Sequence, residues 1–130
     1  MIRFEVTTQD HTDKVVKAAD KAQFRNFGHA AASIRKDAAA SIEKADGPSA
    51  LGSPPHTHKR VFLRRALRFS VSKTDAVIGP VASVVGDVGQ VHEFGGRRGD
   101  QQFPARPFMY PALERQSDRF AGQWSGSIGE

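Results

Sequence analysis

The chain contains no cysteine, which removes disulfide stapling and thiolate metal centres together. A reducing cytoplasm suits such a composition. No stretch comes near the roughly 18 apolar residues of a membrane span. The opening Met-Ile-Arg-Phe-Glu-Val-Thr-Thr lacks the apolar core of a secretion signal. Tyrosine and tryptophan occur once each, so aromatic packing rests on nine phenylalanines. Catalytic signatures are missing as well. There is no Gly-x-Ser-x-Gly elbow, and Gly95-Gly96-Arg97-Arg98-Gly99 runs into prolines instead of a helix with a phosphate-binding lysine. Neither an enzyme nor a cofactor is expected.

What is present fits one domain of 130 residues with a modest core. Hydrophobic residues make up 38% and charged residues 25%. A mean hydropathy of −0.47 implies long loops, or surfaces completed by partner subunits. The formal net charge is +5, and Lys59, Arg60, Arg64, Arg65 and Arg68 concentrate it in a stretch without acids. Such a patch either keeps a face solvated or contacts an acidic partner or DNA phosphates without sequence preference. No helix-turn-helix, RNA-binding or zinc-finger signature accompanies it.

Periodicity divides the chain. Ile2 to Thr7 alternates apolar and polar residues, as a short half-buried strand does. Thr8, Asp10 or Thr12 would cap the helix that follows. That helix is predicted from about Thr12 to Ala45. Val16, Phe24, Phe27, Ala31, Ile34, Ala38 and Ile42 fall in one sector, with most lysines and arginines outside it. Gly28 marks a candidate break, and Asp46-Gly47-Pro48 a stop. Unbroken, the helix would run roughly 50 Å. A domain this small cannot cover that length alone, so one end is expected to rest on a neighbour.

Residues 46–60 read as a loop. Val61–Arg65 fits a helical turn, followed by a hairpin of 67–72 and 76–81 in which Pro80 marks an edge or exit. Ala82–Gln90 fits helix and coil equally. Pro111 is placed in the first turn of a last helix, 111–124, with Leu113, Ser117, Phe120 and Trp124 at helical spacing. Residues 125–130 form a Gly/Ser-rich tail. The resulting class is α+β: a small, mostly antiparallel sheet packed by a long N-terminal helix and a short C-terminal one.

Val91–Glu114 concentrates turn chemistry and aromatic anchors, holding three of the seven prolines, three phenylalanines and the lone tyrosine. Glu93 and Gly95-Gly96 should set a turn, Arg97–Gln102 a mobile polar tip, and Phe103–Met109 an extended segment. Arg106 is the expected partner of an ion pair, with Glu93 as its nearest candidate. His56, His58 and His92 could hold zinc or nickel together with Glu93 only if the loop folded onto residues 92–93. Their spacing matches no metal motif, and polar loop and turn residues are the preferred reading. Arg98-Gly99-Asp100 spells an adhesion tripeptide, too short to carry weight.

Five segments then occur in a telling order: Ser53-Pro54-Pro55-His56-Thr57-His58; Phe62-Leu63-Arg64-Arg65-Ala66-Leu67-Arg68-Phe69; Ala76-Val77-Ile78-Gly79-Pro80; Val91-His92-Glu93-Phe94-Gly95-Gly96; and Phe103-Pro104-Ala105-Arg106-Pro107-Phe108-Met109-Tyr110-Pro111-Ala112-Leu113-Glu114. From about Ser53 to Trp124 the chain resembles the tail-completion or head–tail joining proteins of long-tailed bacteriophages and prophages, the small minor-tail or neck proteins of virion morphogenesis. The last box is the specific part. Ala66 departs from the family's usual serine, and the first helix matches only in length and amphipathy.

The resemblance implies an α+β structural protein without cofactor or catalytic residue. It would form a ring at the head-proximal end of the tail, contact tail-tube and neck or connector proteins, and be made in the host cytoplasm before residing in the virion. Glu93, Phe94, Gly95, Arg97, Arg98, Pro104, Arg106, Pro107, Phe108 and Pro111 become the candidate interface. The alternative is a small basic protein that binds DNA non-specifically through Lys59, Arg60, Arg64, Arg65 and Arg68. No metal ligand is expected.

Overall fold

A computed structural model describes residues 12–58 and 62–125. The predicted strand at 2–7, the cations Lys59 and Arg60, and most of the 125–130 tail lie outside the described residues.

Helix α1 spans Thr12–Ser41 without interruption, Gly28 included. At about 1.5 Å per residue it is roughly 45 Å long. It ends earlier than the apolar periodicity suggests because the next residues are drawn into other bonds. Thr57 N–H donates to the Glu43 carbonyl at 2.8 Å, and Ala45 N–H donates to the Thr57 carbonyl at 3.1 Å. This short parallel bridge between Lys44 and Thr57 ties the following loop back to the helix end.

A short helix α2, Phe62–Ala66, leads into strand β1, Leu67–Val71, which pairs antiparallel with β2, Ala76–Pro80. Ser72 N–H bonds the Asp75 carbonyl at 2.8 Å, and Val81 N–H bonds the Ala66 carbonyl at 2.9 Å. With both ends of the ladder so defined, alternation turns the backbone groups of Ala76, Ile78 and Pro80 away from β1. Pro80 therefore removes no ladder bond, in keeping with its predicted place at an edge.

The run left open between helix and coil forms two short helices, α3 (Ala82–Val85) and α4 (Val88–Phe94). Glu93, expected to set a turn with Gly95-Gly96, thus belongs to the end of a helix, and the chain turns after it at Gly95 and Gly96, with φ +72° and +148°. The expected mobile tip is instead a second hairpin of β3 (Gly96–Arg98) and β4 (Gln101–Phe103). Gly99, at φ +62°, takes the first position of its two-residue turn, the place where hairpin turns of matching twist call for glycine. The two hairpins remain separate two-stranded sheets. Helix α5, Met109–Trp124, closes the fold by packing against α1.

The core gathers Ile34, Ala38 and Ile42 of α1 with Leu63, Leu67, Phe108 and Ala112. Phe27 of α1 stacks on Phe120 at 5.9 Å between ring centroids and meets Trp124 edge-on at 6.1 Å. Further along, Arg115 grips Asp37 through Nε (2.9 Å) and Nη2 (2.6 Å), and Gln116 adds a bond at 2.8 Å. These bonds hold the Asp37 carboxyl below its ordinary pKa, the Arg115 hydrogen bond contributing most. Because 27 meets 120 and 124 while 37 meets 115, α5 runs antiparallel to α1.

At about 24 Å, α5 covers only part of α1. Val16 and Phe24, assigned to the buried stripe from sequence, are 50% and 54% exposed. Of the stripe, Ala31, Ile34, Ala38 and Ile42 are buried within the chain, while Ala22, Asn26 and Ala30 of α1 are buried beside it.

Candidate interaction site

The stretch from Val91 to Glu114 folds into a junction where α4, the second hairpin and α5 meet. Glu93 lies in the last turn of α4, where a negative charge opposes that helix's own dipole. Its carboxylate leaves α4 and accepts the backbone N–H groups of Phe108 (2.9 Å), Met109 (2.9 Å) and Tyr110 (2.8 Å). An α-helix begins with four N–H groups that lack intrahelical partners. Here three donate to Glu93, and the fourth position is Pro111, which has no N–H to satisfy. One carboxylate and one proline complete the N-terminus of α5.

This use of Glu93 replaces its expected ion pair with Arg106. The Arg106 side chain instead donates to the Ser49 carbonyl through Nε (3.3 Å) and Nη2 (3.2 Å). Its backbone N–H donates to the His92 carbonyl at 2.6 Å. Arg106 thereby ties the loop after α1 to the α4–α5 connection. Gly95, at φ +72°, is needed in the same junction, because a Cβ there would lie 3.0 Å from the Ala105 nitrogen.

Phe108 also departs from its expected place. It was a candidate interface residue, yet its side chain is fully buried in the core. An aromatic ring beside two prolines gave no sign of which way it turns. Phe94 does face outward, at 77% exposure, and Pro104 is exposed. Pro107 and Pro111 are half-buried. Arg97 and Arg98 project from β3, with Arg98 Nε 3.4 Å from Asp87 Oδ1.

Beside the junction lies an apolar groove of about 810 Å³. Ile34, Ile78, Gly79 and Pro80 line it on the α1 and β2 sides, and Phe94, Met109, Tyr110 and Leu113 on the α4 and α5 sides. Tyr110 and Leu113 are 61% and 46% exposed. Neither was singled out from sequence as an interface residue, although their three-residue spacing places them on one face of the helix.

A second cavity of about 420 Å³ brings His56, His58 and His92 together against Leu63, Val84, Val85 and Val88. The loop does therefore fold toward residue 92. Among the described residues, however, no group of three histidine, aspartate or glutamate side chains is arranged to hold a metal ion. Glu93 is occupied by α5. Burial, then the charge of Arg106, pushes the His92 pKa below its ordinary value.

Within the basic patch Arg64 is half-buried and Arg65 exposed. Arg68 Nη1 donates to the Arg65 carbonyl at 2.7 Å. No helix among the described residues is long and apolar enough to cross a membrane. Comparison with family models, curated proteins and solved structures finds no match to the chain.

Proposed function

We propose that this chain is a structural subunit of a phage or prophage tail, forming a ring at the head-proximal end for tail completion and head–tail joining. The observation that carries the reading is the groove rimmed by Phe94, Tyr110 and Leu113. It lies in the same Val91–Glu114 stretch on which the family resemblance is most specific. Large exposed apolar residues gathered at one groove mark an interaction surface more often than chance exposure. The uncovered apolar residues at the start of α1 add a second face for a neighbour. On this reading the protein acts by assembly alone.

Tail completion in a phage lacking the gene, supplied with the protein in trans, tests the reading. Phe94→Asp changes an exposed side chain, so its melting temperature should match the parent's while completed tails are lost. Normal tail yield from Phe94→Asp would remove the groove as the working surface. The alternative, a basic non-specific DNA binder, has less geometric support, because Arg68 is turned to its own backbone and Arg64 is partly covered.

A further inference from the structure

The loop 46–58 is fastened over one side of the fold. Ser49, Pro55 and Thr57 are buried along it. Backbone bonds tie Thr57 to Glu43 and Ala45 at the end of α1, and the Arg106 side chain holds the Ser49 carbonyl. Beneath the loop lies the cavity of about 420 Å³, with Leu63, Val84, Val85 and Val88 as its apolar wall. His56 and His58 reach it from the loop, and His92 reaches it from α4. The tail-ring reading makes no use of this cavity.

The charges around these rings are unevenly matched. Arg106 acts on His92 and is kept beside it by its backbone bond to the His92 carbonyl. Helix α2 adds Arg64 and Arg65 next to Leu63, and α3 carries no charged residue. The acids are engaged elsewhere or lie in water. Glu93 of α4 accepts the first N–H groups of α5, and Asp87 lies 3.4 Å from Arg98. Glu43 and Lys44, at the bridge, are exposed. Asp46 stands 4.0 Å from His58, both side chains largely in solvent, so that pair is a weak hold. His56 Nδ1 lies 3.2 Å from the Gly47 carbonyl, a contact inside the loop that moves with it.

Among the described residues no carboxylate pairs with His92. A proton on its ring therefore sits between an apolar wall and the Arg106 guanidinium. Further protons on His56 and His58 add like charge to the same cavity. Lifting the loop admits water to the His92 ring and carries two of the three imidazoles away from it.

We infer that the 46–58 loop is an acid-released strap: protonation of the histidine cluster frees it from α3 and α4 while α1 and α5 stay joined. Release uncovers Leu63, Val84, Val85 and Val88. The inference does not depend on the tail-ring reading.

Hydrogen exchange of the full-length chain tests it, each rate being divided by the intrinsic rate at that pH. The Thr57 and Ala45 amides, which form the bridge, should lose protection by roughly fivefold or more between pH 7 and pH 5. Amides of Ile34–Ala38 should keep theirs, and Trp124 emission should stay constant over the same range. His92→Gln should hold the bridge protection within about twofold across that range. Should that variant not fold, His56→Gln combined with His58→Gln replaces it, and the loss on acidification should shrink.

Bridge amides whose protection does not change with pH would overturn the strap. So would loss at Thr57 and Ile34–Ala38 in step, because acid would then unfold the whole chain and not release the loop. A pH response of the bridge that persists unchanged in the histidine variants would overturn the role of the cluster.

Discussion

Substituting Glu93 examines how α5 begins. In the parent, one carboxylate accepts three backbone N–H groups at 2.8–2.9 Å. Hydrogen bonds to a charged group contribute roughly 1.5–3 kcal/mol each in isolation, but bonds sharing one acceptor are not additive. Tyr110 N–H is exposed and regains water when the carboxylate goes, whereas the Phe108 and Met109 groups are partly buried. Losing an ordinary N-cap costs roughly 0.5–2 kcal/mol. This one serves three donors and the positive end of the helix dipole, so Glu93→Ala should cost roughly 2–4 kcal/mol.

Glu93→Gln keeps one oxygen but turns an NH₂ toward backbone donors, so it should cost about 1–2 kcal/mol. For a chain of this size the melting temperature should fall by roughly 8–15 °C in the alanine variant and about half that in the glutamine variant. Thermal unfolding followed by far-UV circular dichroism reads both numbers. Hydrogen exchange locates the effect: amides of Tyr110 and Ala112–Glu114 should lose protection before those of Ile34–Ala38. An alanine variant melting within about 2 °C of the parent, or protection lost evenly along both helices, would refute the capping assignment.

Two further outcomes follow from the same geometry. Phe108→Ala should destabilise the chain by about 3–5 kcal/mol in urea unfolding; an unchanged midpoint with lost tail joining would return Phe108 to the interface. His92 has a folded-state pKa below its ordinary 6.5, so the folded state binds fewer protons than the unfolded state between those two values. Its contribution to stability is complete above pH 6.5 and is lost as pH falls through the depressed folded value. The melting temperature should therefore drop on acidification from about pH 7 to 5, and His92→Gln should flatten that drop. Parallel pH profiles for parent and variant would contradict it.

Elements set by local pattern were legible in the sequence. The long apolar stripe of α1, the alternation of β1 and β2, the edge position of Pro80 and the terminal helix all follow from spacing between near neighbours. What spacing cannot reveal is how far a covering element reaches. The stripe from Val16 to Ile42 is uniform in sequence, yet α5 is too short to cover its beginning. The site was legible as a stretch but not in its roles. Glu93 finds its partners 15 to 17 residues away, and Arg106 finds Ser49 at a separation of 57. Such pairings depend on the packed arrangement of α4 and α5. Their only local trace is Pro111, a residue that needs no acceptor at a helix start.

The aromatic seam between α1 and α5 also sets what light can report. Trp124 is the only tryptophan, and it stands edge-on to Phe27 and Phe120. Its emission therefore follows the docking of the two helices. The only tyrosine, Tyr110, sits at the groove rim, roughly 21 Å away along α5. One chain thus carries two intrinsic chromophores at two places. Tryptophan emission tracks whether the helices are joined, while tyrosine emission tracks whether the groove is filled.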